Sequence, residues 1–69
     1  MSELLFAPTR RLMKNSGANR VSEDAVNYLN ETLEEKGVSI TKEASKLAAH
    51  AGRQTVMIDD IKMAIGKQL

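Results

Sequence analysis

Residues 22–51 read SEDAVNYLNETLEEKGVSITKEASKLAAHA, and Gly52 follows. Apolar or small residues recur at Ala25, Leu29, Leu33, Ile40, Ala44, Leu47, Ala48 and Ala51, mostly at steps of three and four, the period of one helix face. No proline interrupts the run. Ser22 is placed to cap its start, Glu23 and Asp24 set negative charge against the positive end of the dipole, and Gly52 stops it. At 1.5 Å per residue such a helix is roughly 45 Å long. A compact chain of this length has a radius of gyration near ~11 Å, a sphere about 28 Å across. The apolar stripe therefore outruns what the rest of its own chain covers. It calls for a second copy packed against it, and an obligate dimer is expected.

On the N-terminal side, Ala7 or Pro8 to Asn15 reads as a short helix. Proline suits a first helical turn, where its missing N–H has no partner to lose. Leu12 and Met13 supply its apolar face, Leu4, Leu5 and Phe6 lead into it, and Gly17 stops it. On the C-terminal side, Arg53 to Met57 has some extended propensity. A third helix begins near Ile58, carries Ile61, Met63, Ala64 and Ile65, and is expected to fray at Gly66. Asp59 and Asp60 fall in its first turn, again favourable for the dipole. Gly37, in mid-helix, costs about 1 kcal/mol relative to alanine. It marks a close approach of two long helices or a glycine tolerated on an open face. There is no repeat, linker or low-complexity segment, so residues 1–69 read as one all-α domain of short, long and short helices joined by two loops.

Composition narrows the function. A domain this small is marginal on its own core, and without cysteine it has neither disulfides nor thiolate metal sites to staple it. Phe6 and Tyr28 are the only aromatic residues, too few for a base-stacking platform. No signal-peptide pattern and no bilayer-length apolar run is present, so a soluble protein inside the cell is expected, with no membrane partner. The net charge of +1 hides a segregation. Residues 1–21 carry Arg10, Arg11, Lys14 and Arg20 against Glu3, whereas residues 22–50 carry six acids against three lysines. Such a division suits an anionic partner on one face, although chance clustering on a solvated surface gives the same pattern.

Catalysis finds little support. His50 is the lone histidine and sits in the last turn of the long helix, where its cationic form suits the dipole. There is no nucleophile elbow and no glycine-rich phosphate loop. Asp59 and Asp60 are adjacent, so on a helix they point about 100° apart and form no catalytic pair. No cofactor or metal is expected. Phosphate binding is better served, because helix N-termini carry unpaired N–H groups and partial positive charge. Arg20 precedes one such terminus at Ser22, and Arg53, Gln54 and Thr55 lie in the second loop. Antiparallel pairing with a second copy would set the first loop of one protomer near the second loop of the other. A cluster would then form at each end of the dimer, with Arg10, Arg11 and Lys14 between.

These residues carry a resemblance. The chain resembles the archaeal histones, the minimal form of the histone fold, from end to end. The matching runs are Ala7-Pro8 with Arg11, Lys14 and Gly17, then Arg20-Val21-Ser22, then Leu33-Glu34-Glu35. The most specific is Ala48-Ala49-His50-Ala51-Gly52-Arg53-Gln54-Thr55-Val56, leading to Asp60-Ile61 and Ala64. The resemblance implies a handshake dimer, homo- or heteromeric, that binds double-stranded DNA in the nucleoid. It implies that Arg20 enters the minor groove, drawn by its negative potential without a base-specific contact, with Thr55 beside the phosphate. Arg11 and Lys14 match positions facing the DNA backbone, with Arg10 an added charge. Arg53 and Asp60 match a structural salt bridge. Leu47, His50, Asp60 and Met63 match positions where dimers meet in tetramers. Gly17 matches a small residue that lets dimers stack around wrapped DNA.

The chain also departs from its relatives. Many of them carry lysine where it has Gln54 and Met57, which removes up to four charges per dimer and should flatten the salt dependence of binding. Two readings follow. The first is a chromatin protein that binds, bends and compacts duplex DNA with little sequence preference. The second is a histone-fold interaction module that pairs with another chain, for example in a transcription complex, and binds DNA weakly.

Overall fold

The computed structural model describes residues 6–68. Those residues form three helices, α1 (Phe6–Asn15), α2 (Glu23–His50) and α3 (Ile58–Gln68). No strand occurs among them, so the Arg53–Met57 segment is a loop. None of the three helices is long and apolar enough to cross a membrane. Leu4 and Leu5, expected to lead into α1, lie outside the described residues. The chain forms two compact units, Met1–Glu35 and Lys36–Leu69.

In the first unit, α1 begins one or two residues earlier than expected, so that Pro8 sits within the first turn, where backbone N–H groups have no helical acceptor. The helix turns Phe6, Thr9, Arg10 and Met13 inward and leaves Leu12, expected with Met13 on the apolar face, 52% exposed, while Thr9 is buried. Thr9 donates a hydrogen bond to the Asn30 side-chain carbonyl on α2, and both residues are buried. The end of α1 closes by chain geometry. Ala18 N–H returns to the Met13 carbonyl at 3.2 Å and Gly17 N–H to that of Lys14 at 3.1 Å. This pair of bonds defines a Schellman turn, which needs a left-handed residue, and Gly17 has φ +116°. Ser22 then caps α2, its Oγ accepting the Ala25 N–H at 3.1 Å. Val26, one turn into α2, is fully buried, while Ala25, expected on the stripe, is exposed.

In the second unit, α2 ends on a repeat of the same device. Arg53 N–H reaches the Ala48 carbonyl and Gly52 N–H that of Ala49, both at 2.9 Å, with Gly52 at φ +77°. The chain turns through residues 51–57 and α3 runs back along α2. At its far end Lys67 pairs with Glu43 at 3.0 Å, and Gln68 donates to Ser39 Oγ at 2.9 Å. These ties account for α3 continuing through Gly66 to Gln68 rather than fraying there. Ala44, Ala48 and Ala64 are the buried apolar residues among those described in this unit.

Large apolar side chains fare differently. Leu33, Val38, Met57, Ile58, Met63 and Ile65 are exposed, Ile58 by 68% and Met63 by 57%. Among the described residues Val26 is the one fully buried apolar side chain larger than alanine.

Candidate nucleic-acid interface

Two loops and the helix before the first carry the residues singled out by sequence for DNA. Loop 1, residues 16–22, is fixed at both ends by the Gly17 turn and the Ser22 cap, and its exposed Arg20 stands between them. Val21 is half-buried, and its carbonyl accepts a long hydrogen bond of 3.4 Å from Arg10 Nη1. Arg11 and Lys14 lie exposed on α1. The Ser22 Oγ uses a lone pair to cap α2, and that bond leaves its own proton available for donation to an anion. Glu23 and Asp24 occupy the first turn of α2 and oppose an anion at the helix end itself. The positive charge of this unit is therefore carried by side chains of α1 and loop 1.

Loop 2, residues 51–57, is braced from within. Arg53 and Asp60 form a two-pronged pair, Nη1 to Oδ2 at 2.9 Å and Nη2 to Oδ1 at 3.0 Å. Nη1 also donates to the Thr55 carbonyl at 2.9 Å, and Met57 N–H donates to Asp60 Oδ2 at 2.8 Å. Asp60 is thus the third residue of α3 reaching back to the N–H before the helix, one half of a capping box. The Arg53 guanidinium, followed by the Met57 N–H, pulls the Asp60 carboxyl down to about 2. Asp60 in turn holds Arg53 more firmly protonated. With its charge matched by a buried carboxylate, Arg53 serves loop 2 as a brace, while the side chains of Gln54 and Thr55 are exposed.

Leu47 is half-buried, and His50 and Met63 are exposed, His50 beside an open, shallow depression shared with Lys46 and Ala49. Asp60 is buried, with both oxygens already engaged. A Cβ at Gly17 would meet nothing within 4 Å, so conformation rather than space requires glycine there. No group of three or more metal-ligating side chains occurs among the described residues.

Three features escaped the sequence reading: the buried Thr9–Asn30 pair, the inward engagement of Arg10, and the backbone bond made by Asp60. The last had a local signal, an acid at the third position of a helix. The first two depend on packing between residues far apart in the chain.

Residues 3–65 match the family described as histone-like transcription factor (CBF/NF-Y) and archaeal histone. The chain is 48% identical over 65 residues to one of the chains of the archaeal histone HAN1 of Thermococcus zilligii, covering 94% of this chain and 97% of that one. It is 46% identical over 65 residues, with the same coverage, to probable archaeal histone 3 of Methanocaldococcus jannaschii.

Proposed function

The chain belongs to the histone-like transcription factor (CBF/NF-Y) and archaeal histone family, and on that footing we propose how it packages DNA. It is a histone-fold protein and not an enzyme. It pairs through its long helix, binds duplex DNA through phosphates and the minor groove, and bends and compacts it on the chromosome. Residues 1–69 act as one histone-fold domain in that dimer. Exposed Ile58, Ile65, Val38 and Leu33 support the pairing, because apolar surface of this extent on so small a chain is stable when a partner covers it.

Arg20 carries the DNA reading. It is an exposed cation on a loop fixed at both ends, the arrangement a groove-inserted arginine requires. Arg11 and Lys14 contact the DNA backbone from α1, Ser22 and Thr55 donate to phosphates, and Gln54 adds a neutral contact. Arg53 acts by holding Thr55 in place. Leu47, His50 and Met63 form the surface where dimers meet, with Asp60 beneath it, and Gly17 lies where dimers stack.

Arg20→Ala should weaken binding to a short duplex at low salt by about 10- to 100-fold while the dimer stays folded. Fluorescence anisotropy and circular dichroism on the same samples measure both. Unchanged affinity would rule out groove insertion. A folded dimer with no measurable duplex affinity, mutated or not, would instead be a protein-interaction module.

A further inference from the structure

Arg10 stands apart from the other cations of α1. Its guanidinium lies over the Phe6 ring, 5.1 Å from the centroid, within the distance at which a cation is held by an aromatic face. Phe6 precedes it by one helical turn, so ring and guanidinium are neighbours on the surface of α1. The same group donates through Nη1 to the carbonyl of Val21, the residue directly after Arg20. Arg11 and Lys14 on the same helix point into solvent, whereas Arg10 is half-buried. One side chain thus links the middle of α1 to the exit of loop 1.

We propose that Arg10 is a positioning residue for Arg20: it holds the Arg20–Val21 segment from inside the chain instead of contacting phosphate itself. The proposal rests on the DNA-binding reading above. Its chemistry requires arginine in particular. A planar guanidinium stacks one face on Phe6 while donating from its edge to Val21, and the ammonium of a lysine cannot do both. A phosphate contact, by contrast, is served by either cation.

Arg10→Lys therefore separates the two roles. In the DNA-free protein, the NMR order parameters of the Arg20 and Val21 amides should fall, with those of mid-α2 unchanged. Duplex affinity should fall about fivefold, the equivalent of one weak cation–aromatic contact. The slope of affinity against salt should stay the same. The double variant Arg10→Lys, Arg20→Ala should bind no more weakly than Arg20→Ala alone. Parent-like binding by Arg10→Lys, with Arg10→Ala lowering the salt slope by about 2 per dimer, would make Arg10 a phosphate contact and overturn the proposal. Unchanged order parameters in loop 1 would also overturn it. If Arg20→Ala bound as the parent does, the DNA reading would fail, while the order parameters of the DNA-free protein would still report whether Arg10 holds the loop.

Discussion

The Asp60 carboxylate accepts three hydrogen bonds, two from Arg53 and one from the Met57 backbone, and its acidity follows from them. Its folded value of about 2 lies below the ordinary 3.8, so the unfolded chain takes up this proton at higher pH than the folded one. The stabilisation is therefore complete above about pH 4 and is lost as pH falls toward about 2. Glu43, lowered chiefly by its hydrogen bond from Lys67, acts with the same sign. Thermal melts between pH 5 and 2 should show a falling midpoint, and Asp60→Asn should start lower and fall less steeply. A parallel decline would mean that Asp60 has no part in the acid sensitivity. Thr9→Val should cost about 1–3 kcal/mol in chemical denaturation at fixed chain concentration, because a buried carbonyl loses a donor. The pairing of Arg53 with Asp60 was available in advance through the family resemblance. Thr9 and Asn30 were not, since a threonine and an asparagine 21 residues apart look like solvated positions until the helices pack.

At the level of elements, caps made the sequence legible. Ser22, Gly17 and Gly52 act on their nearest neighbours, so the ends of α1 and α2 follow from short strings of residues. The end of α3 did not, because the bonds that carry it past Gly66 come from Ser39 and Glu43 on another helix. The glycines divide accordingly. Gly52→Ala forces a side chain into left-handed backbone and should cost about 1–2 kcal/mol. Gly37 has no left-handed φ, and a Cβ there meets nothing within 4 Å in the single chain. If that position stays open in the assembled protein, Gly37→Ala should stabilise it by about 0.5–1 kcal/mol. If two long helices cross there, the same change should weaken dimerisation, which sedimentation at several concentrations would detect.

For the whole molecule, helix length alone indicated a partner, and the exposure of Ile58, Met63 and Ile65 repeats that message atom by atom. Stability should therefore depend on concentration, the melting midpoint rising as the chain is concentrated. A midpoint independent of dilution would mean a self-sufficient monomer. If Arg11, Lys14 and Arg20 are the DNA-facing cations of each chain, as proposed, a dimer should show a logarithmic salt slope of about −5. Titration of a duplex at several salt concentrations measures it, and a much steeper slope would mean that Arg53 or further lysines reach phosphates.

That Val26 is the one fully buried apolar side chain larger than alanine among the described residues bears on the life of the protein in a cell. A newly made copy without a partner would leave these surfaces open to proteases, whereas pairing would cover them. Turnover would thus fall mainly on unmatched copies. If a related chain competes for the same surface, its abundance decides which pairings survive. Supply of partners, and not only synthesis of this chain, would then set how much of it persists.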